Sequence, residues 1–376
     1  MFRRTTAALA AFAALALSGA TQAQITIGAT ITATGTNASI GIPGKNAIEL
    51  MPSSIAGVPV KFVVLDDGGD PSQAVKNMRK LAQEDRADVV LGSSSTPTCL
   101  ALADTAQETK TAHLCLAPIS VRNPWVFFTP QPVPLMVEGL VEHMKANGVK
   151  SVGFIGFSDG WGDLNYESFV KLAGPAGIKV VAAERYARTD TSVTAQVLKL
   201  VAASPDAIFI GAASTPAALP QAALIERGFK GRVYHTHGVL NRDFLRVGGK
   251  AVEGIIAPAG PIVVSNQLPD SNPVKKEALE FTRLYEAKFG AGSLNPFAGH
   301  AWDAYLILKE AIPVALKKAK PGTVEFRSAL RDAIEGVQNV VATQGVFSMS
   351  PANHNGLDGR ARVLVRVENG AFRLMQ

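Results

Sequence analysis

The residues with the clearest chemical potential form a serine-rich turn, Ser93-Ser94-Ser95-Thr96, between a β-branched segment and a helical pattern. Serine and threonine are typical of helix starts, where their hydroxyl oxygens accept hydrogen bonds from free backbone N–H groups. Such hydroxyls and N–H groups can also bind an anion, because the start of a helix carries a partial positive charge. The turn therefore predicts either a carboxylate-binding site or an ordinary helix cap.

A second candidate is the segment Gly156-Phe157-Ser158-Asp159-Gly160, which matches the G-x-S-x-G pattern of a hydrolase nucleophile elbow. It follows a predicted strand and precedes a predicted helix, and His300 or His354 could serve as its base. Two glycines and one serine are a weak pattern, and Asp159-Gly160 is also typical of a strand-to-helix turn. We keep an α/β serine hydrolase as the alternative function and expect no enzymatic activity.

Patterns typical of metal ligands are weak in this chain. His235 and His237 alternate along a predicted strand and would share a face, but no Cys, Asp or Glu stands beside them. The acidic turn 66–70 lacks the spacing of an EF-hand and is typical of a helix start. We therefore predict neither a metal nor a cofactor. Cys99 and Cys115 could form a disulfide or be two buried small side chains.

These residues lie within a repeated pattern of strands and helices, which starts at residue 25 and restarts after residue 134. Repeated β-α-β units predict parallel sheets with helices on both faces. The expected fold class is α/β, with two doubly wound three-layer α/β/α lobes. Ligands of such lobes bind in the cleft between them, at the carboxyl ends of the strands.

The hydrophobic patterns give approximate bounds for these elements. The predicted strands cover residues 25–29, 60–65, 88–92, 112–117, 152–157, 179–183, 207–211, 233–236, 362–367 and 371–375. The predicted helices cover residues 44–52, 74–82, 96–109, 137–146, 164–173, 194–203, 216–227, 273–289, 298–311 and 323–335.

Composition excludes several classes of protein. The chain has 376 residues, which is too long for one small core and suits two lobes. Apolar residues make up 47% and charged residues 18%, so disorder is excluded. The net charge of +6 comes with no cluster of Lys and Arg interleaved with aromatic residues, so we expect no nucleic-acid partner.

The first 23 residues are typical of a secretory signal peptide. Arg3 and Arg4 precede an apolar run over residues 7–17, and small residues follow up to Ala23. The run is too short to span about 30 Å of hydrocarbon as a helix, which disfavours the alternative of a membrane anchor. We predict cleavage near Ala23 and export to the periplasm.

From Ile25 onward the chain resembles the periplasmic branched-chain amino acid-binding proteins of ABC transporters, the leucine/isoleucine/valine-binding type. The segments that carry the resemblance are 66–71, 92–96, Trp161-Gly162, 345–348 and 353–356. The resemblance implies a type I periplasmic binding protein fold with three hinge crossings. It also implies a monomer that binds a small carboxylate ligand without a cofactor and delivers it to an inner-membrane ABC permease.

The crossings are expected where proline and glycine interrupt the pattern, near residues 130–134, 257–264 and 348–359. They divide the chain into an N-terminal lobe and a C-terminal lobe. The expected lobes are residues 24–132 plus 262–350 and residues 133–261 plus 351–376.

The resemblance also implies the ligand contacts. These are Ser93, Ser94, Ser95, Thr96, Ile119, Ser120, Trp161 and His237. In the family the serine-rich turn holds the ligand carboxylate and an aromatic residue in the place of Trp161 covers the ligand. An acidic residue pairs with the ligand ammonium, and His237 occupies its place here. Because a buried ammonium without a counter-charge is costly, His237 favours an aromatic or aliphatic acid over a branched-chain amino acid.

Overall fold

The computed structural model of the chain describes residues 24–375. The predicted signal peptide and its cleavage site lie outside the described residues. The described chain forms two α/β lobes, each built on its own sheet, and it passes between them three times. Within residues 24–375, no helix combines the length and apolar character that crossing a membrane requires.

The chain first builds the sheet of one lobe, called the first lobe below. Its elements are β1 (Ile25–Ile31), α1 (Ala38–Ile48), β2 (Ser54–Ile55), β3 (Val58–Asp66), α2 (Pro71–Arg79), β4 (Val89–Gly92), α3 (Thr96–Ala101), α4 (Ala103–Glu108), β5 (Ala112–Cys115) and β6 (Val126–Phe128). The strand order is β2-β3-β1-β4-β5-β6, and every pair except β2–β3 is parallel. The order reverses between β1 and β4, which is the position where doubly wound sheets bind ligands.

The second lobe repeats this plan. Its elements are α5 (Val133–Ala146), β7 (Ser151–Phe157), α6 (Gly160–Ala173), β8 (Lys179–Tyr186), α7 (Thr194–Ala202), β9 (Ala207–Gly211), α8 (Ala218–Glu226), β10 (Arg232–His235), α9 (Arg242–Gly248) and β11 (Ile256–Ala259). Here the order reverses between β7 and β9, because β8 lies on one side of β7 and β9 on the other.

The remaining chain returns to the first lobe and then ends in the second. The elements are α10 (Lys275–Phe289), α11 (Pro296–Leu316), α12 (Val324–Glu335), β12 (Val340–Val341), β13 (Val346–Phe347), β14 (Val363–Glu368) and β15 (Ala371–Leu374). Helix α11 packs against α1 and α12, and it is buried along most of its length. The β14–β15 hairpin extends the second sheet by antiparallel pairing with β11.

The three crossings meet at two buried glutamines. Gln131, on the first crossing, donates hydrogen bonds to the side-chain oxygen of Gln344 (3.2 Å) and to the carbonyl of Ala361 on the third crossing (3.1 Å). Gly260, on the second crossing, packs so closely that a Cβ there would lie 1.9 Å from Gln344 Oε1. Gln344 also contacts His300 in α11. The hydrogen bonds of Gln131 and the packing of Gly260 against Gln344 therefore connect the three crossings.

The predicted elements agree with the structure in type, and the main differences lie near glycine and proline. Helix α1 begins at Ala38 instead of residue 44, and Gly41 and Pro43 lie inside it. A Cβ on Gly41 would lie 1.9 Å from the carbonyl oxygen of Thr32, so glycine is needed for this close approach of α1 to the end of β1. The sequence patterns also missed β6 and α9, and β11 occupies part of the predicted second crossing.

Cys99 and Cys115 form a disulfide, with their Cα atoms 5.9 Å apart. Cys99 lies in the first turn of α3, and Cys115 is the last residue of β5. Both cysteines are fully buried in a small apolar cluster beneath α2, α3 and α4. The bond therefore fixes the start of α3 to the carboxyl end of β5.

Candidate functional site

A cavity lies between the two lobes, where the carboxyl ends of their strands face each other. Its lining residues are Ile40, Ser94, Ser95, Thr96, Leu116, Ala117, Pro118, Trp161, Arg188, Ala213, His237, Gly238, Phe297 and His300. Its volume is about 30 Å³. One ordered water occupies roughly 10–15 Å³, so the cavity as it stands has room for about two or three waters, and a larger ligand requires its walls to move apart.

The serine-rich turn between β4 and α3 forms the first-lobe wall. Ser95 Oγ bonds to Thr98 Oγ1 at 2.7 Å, and Thr96 Oγ1 donates to the carbonyl of Pro118 at 2.7 Å. Ser94 Oγ accepts a hydrogen bond from the backbone N–H of Thr32 at 3.3 Å. Within residues 24–375 no acceptor takes the hydroxyl hydrogen of Ser94. That hydrogen can therefore be donated to a ligand in the cavity.

Ser93 is turned away from the cavity. Its hydroxyl donates to Asp67 Oδ2 at 2.6 Å, and the side chain is fully buried. Asp67 also accepts from the hydroxyls of Thr30 and Thr32, at 3.0 and 2.7 Å. Ser93 thus belongs to a polar junction that connects the ends of β1, β3 and β4, a different position from the ligand contact predicted for it.

Two other predicted contacts also lie outside the cavity. Ile119 packs in the apolar cluster that contains the disulfide. Ser120 is exposed and lines a separate surface groove. Both residues follow β5, but the cavity-facing residues of that segment are Leu116, Ala117 and Pro118.

The positions of Ser93 and Ser94 lead to a testable prediction. Ser93→Ala removes a hydrogen bond to a buried carboxylate, so we expect it to lower the free energy of unfolding by about 1.5–3 kcal/mol. It should change the ligand dissociation constant less than about threefold. Ser94→Ala should show the opposite pattern, with little loss of stability and weaker binding of carboxylates. Urea unfolding and calorimetric titration of both variants would contradict this if Ser93→Ala alone weakened binding.

Trp161 and His237 form the second-lobe wall. Asp159 caps α6 by accepting from the backbone N–H groups of Trp161 (2.9 Å) and Gly162 (3.3 Å), which fixes the tryptophan at the start of the helix. The centres of the Trp161 and His237 rings are 5.3 Å apart, and the ring planes are inclined at 73°. Their exposed fractions are only 4% and 5%. The two rings are therefore in contact and together line the second-lobe side of the cavity.

Burial keeps the histidines of the cavity neutral. It lowers the pKa of His237 to about 3. Burial also lowers the pKa of His300 well below its usual value, and the proximity of His237 lowers it further. A neutral imidazole offers one N–H donor and one nitrogen acceptor, and it carries no charge that could attract an ion.

No carboxylate is present among the residues that line the cavity. The nearest relevant charge is Arg188, whose Nε donates to Asp159 Oδ2 at 2.5 Å. Its guanidinium also lies 4.1 Å from the centre of the Phe157 ring and donates to Asn37 Oδ1 of the first lobe at 3.1 Å. Asp159 is thus already paired, and it is not free to neutralise a cationic ligand.

The lobes also touch beside the cavity. Ser39 Oγ and Ser214 Oγ are 2.6 Å apart, and Ser214 Oγ donates to the carbonyl of Thr36 at 3.4 Å. Together with the Asn37–Arg188 hydrogen bond, these contacts hold the two walls together around the cavity. The structure is therefore the closed arrangement of the two lobes.

Sequence reasoning missed several cavity residues for identifiable reasons. Strand β8 continues to Tyr186, three residues beyond the predicted end, which brings Arg188 to the carboxyl edge of the sheet. Helix α1 begins six residues earlier than predicted and therefore contributes Ile40. Phe297 and His300 lie in the first turns of α11, far along the chain from the other residues of the cavity. Longer strand and helix bounds would have found Arg188 and Ile40, whereas nothing local marks Phe297.

The alternative hydrolase site is not assembled. Ser158 Oγ donates to the carbonyl of Tyr186 at 3.3 Å, and none of its hydrogen bonds within residues 24–375 is to a histidine. His300 contacts Gln344, and His354 contacts Glu335 and the carbonyl of Val126. Both histidines named as possible bases thus have other partners.

The candidate metal ligands are also engaged elsewhere. His235 Nε2 bonds to Gln221 at 3.1 Å, whereas His237 faces the cavity. In the acidic turn, Asp66 accepts hydrogen bonds from Ala33 and Gly68, and Asp70 caps α2. These contacts are those of a structural turn.

Comparison with known proteins adds independent findings. A family model described as periplasmic binding protein matches residues 24–371. An extracellular ligand-binding receptor from Rhodopseudomonas palustris HaA2 is 47% identical, with 94% of this chain and 100% of that chain covered and a TM-score of 0.92. A search of curated proteins found no match.

Two more distant structures share the fold. A leucine-binding protein from Thermotoga maritima MSB8 is 19% identical, with 94% and 98% of the two chains covered and a TM-score of 0.80. A solute-binding protein of an ABC transporter from R. palustris, solved in complex with benzoate, is also 19% identical, with 94% and 95% covered and a TM-score of 0.79.

Proposed function

The chain belongs to the periplasmic binding protein family, and from this premise we propose that it captures a small carboxylate without an α-amino group. The ligand is enclosed between the lobes and delivered to an inner-membrane ABC permease. The observation that carries the proposal is the cavity lining, which offers hydroxyl and N–H donors but no carboxylate. The place at which an amino acid binder keeps its acid is taken by neutral His237.

Electrostatics favours this ligand class. Burying an ammonium without a counter-charge costs several kcal/mol, which is comparable to the whole binding energy of a weakly bound ligand. A bound carboxylate is stabilised instead, because the turn before α3 offers the Ser94 hydroxyl and backbone N–H groups to an anion. Arg188 also lines the cavity, and its charge is already paired with Asp159.

The rest of the cavity suits an apolar body for the ligand. Ile40, Leu116, Trp161 and Phe297 supply aliphatic and aromatic surface between the polar walls. Aromatic rings pack well against a tryptophan face or edge, so an aromatic acid fits this surface, as does a short branched aliphatic acid. A solute-binding protein of the same fold has been solved in complex with benzoate, which supports an aromatic acid as the ligand.

The remaining parts of the proposal follow from the family. The protein acts as a monomer in the periplasm after removal of its signal peptide near Ala23, and it binds its ligand without chemical turnover. We expect the lobes to separate when the ligand leaves, with bending near residues 129–132, 260–261 and 348–362. The glutamine contact between the crossings would then couple the three bends.

Matched pairs of ligands test the proposal directly. Each pair consists of an acid and the same acid with an α-amino group, such as 4-methylpentanoate with leucine and 3-phenylpropanoate with phenylalanine. We expect one or both acids to raise the unfolding temperature of the mature protein and to bind in calorimetry, with the amino acids inert. A ligand at 100 times its dissociation constant stabilises the folded state by about 2.7 kcal/mol, which a thermal shift detects easily.

The same experiment can also contradict the proposal. Micromolar binding of leucine or valine, with 4-methylpentanoate and benzoate inert, would indicate an ordinary amino acid binder. Ser94→Ala is the matched control, because it removes one donor from the carboxylate end and should weaken every acid that binds there. Ester hydrolysis that Ser158→Ala abolished would instead support an enzyme.

A further inference from the structure

Three buried polar atoms of the cavity have no hydrogen-bond partner among residues 24–375. They are Nε1 of Trp161 and both ring nitrogens of His237. The two side chains are more than nine-tenths buried, and both line the cavity. An unpaired buried polar atom costs about 1–3 kcal/mol, so these atoms require a partner that the protein itself does not provide.

The opposite wall has far less unused capacity. Hydrogen bonds with Thr32, Thr98 and Pro118 already involve the hydroxyls of Ser94, Ser95 and Thr96. The unused hydrogen-bonding capacity of the cavity therefore lies mainly in the second lobe. Apolar residues such as Ile40 and Phe297 lie along its sides. A carboxylate bound at the serine-rich turn would leave the Trp161 and His237 atoms still unpaired.

The chemistry of these atoms limits what can satisfy them. The indole N–H can only donate, so the ligand atom beside it must accept a hydrogen bond. A neutral imidazole has one donor and one acceptor nitrogen, and burial keeps His237 in this neutral form. A hydroxyl group can accept from Trp161 and donate to His237 at once, whereas a methyl group can do neither.

We infer that the natural ligand is a hydroxy acid whose hydroxyl group lies between Trp161 and His237. This inference rests on the proposed function and makes it more specific. The carboxylate occupies the serine-rich turn, the apolar body lies between the walls, and the hydroxyl group becomes the partner of Trp161 Nε1 and of one ring nitrogen of His237. A site that hydrogen-bonds a ligand hydroxyl discriminates strongly against the analogue that lacks it, because its own polar groups are then left unpaired.

Calorimetric titration with benzoate and its 2-, 3- and 4-hydroxy derivatives tests the inference, together with 4-methylpentanoate and 2-hydroxy-4-methylpentanoate as an aliphatic pair. We expect at least one hydroxylated acid to bind about tenfold or more tightly than its parent. Trp161→Phe keeps an aromatic ring but removes the N–H donor. It should lower the ratio of hydroxylated to parent affinity severalfold, because only the hydroxylated acid uses the indole N–H.

Two further measurements make the test decisive. Without ligand, Trp161→Phe should unfold at the same or a higher temperature than the wild type, because the N–H that it removes has no partner. Phe297→Leu is the matched control on the apolar wall, and it should change the affinities for parent and hydroxylated acids by the same factor.

The outcomes separate the two proposals. Equal affinities for parent and hydroxylated acids would overturn the hydroxy acid inference, with water filling the Trp161 end, and would leave the carboxylate function intact. An equal loss for both acids in Trp161→Phe would overturn it as well. Binding of amino acids in place of every acid would contradict the proposed function itself.

Discussion

Loss of the Cys99–Cys115 disulfide is expected to lower the free energy of unfolding by about 3 kcal/mol. The two cysteines are 16 residues apart, and a crosslink that closes a loop of this length removes about that much conformational entropy from the unfolded chain. Urea unfolding of the wild type with and without a reductant should therefore differ in midpoint. A reductant that leaves the midpoint unchanged would show that the bond contributes nothing to stability.

Variants distinguish the bond from the packing of the two sulfur atoms. Either Cys99→Ala or Cys115→Ala removes the whole bridge, so the double variant should be much less destabilised than the sum of the single variants. If the two cysteines acted only as buried small side chains, the effects would add. Comparison of the double variant with the reduced wild type then isolates the cost of the cavities that alanine leaves.

The bond also has a consequence for binding. It joins the start of α3 to the end of β5, and residues from both places line the cavity. Loosening this junction would let the serine-rich turn move relative to Leu116 and Pro118. We therefore expect the reduced protein to bind its ligand more weakly, even at temperatures at which it remains folded.

The fold could be predicted from the sequence because its main signals are local. Buried parallel strands are continuous apolar runs, and the amphipathic helices between them repeat every 3.6 residues. The prediction of helix bounds was wrong where a long-range contact requires a particular residue type. Gly41 looks like a helix breaker, but it is needed because α1 passes against the carbonyl of Thr32.

The candidate site could be predicted only in part, for a similar reason. The structure brings Ser94, Ser95, Thr96, Trp161 and His237 to one cavity, and each lies two to four residues after the end of a strand. Ser93 has the same residue type and the same neighbours, yet its hydroxyl points to Asp67. Which of several adjacent serines faces a cavity depends on the backbone path at the end of β4, and no local pattern reveals it.

No local sequence pattern predicts the contacts that close the cleft. Asn37 and Arg188 are 151 residues apart in the chain, and Ser39 and Ser214 are 175 residues apart. Both pairs depend on how one lobe faces the other. Arg188, which lines the cavity and bonds to Asn37, was identified only from the structure.

His237→Asp is expected to reverse the preference of the cavity. An aspartate would place a negative charge where the resemblance to amino acid-binding proteins puts the acid that pairs with the ligand ammonium. Close charge pairs in dry interfaces contribute about 1.5–7 kcal/mol. We therefore expect the ratio of leucine affinity to 4-methylpentanoate affinity to rise about 100-fold or more, measured by calorimetry at neutral pH.

His237→Asn is the matched control, because asparagine has the size of aspartate without its charge. Any difference between the two variants then reports the charge alone and not the lost imidazole. An identical ratio of the two affinities in both variants would show that the ligand's α-carbon does not lie beside residue 237. Because a buried unpaired aspartate is costly, the aspartate variant should be the less stable of the two without ligand. Leucine should restore more of that stability than 4-methylpentanoate does, because only the ammonium supplies the missing counter-charge. Residue 237 would then decide between amino acids and acids that lack the amino group.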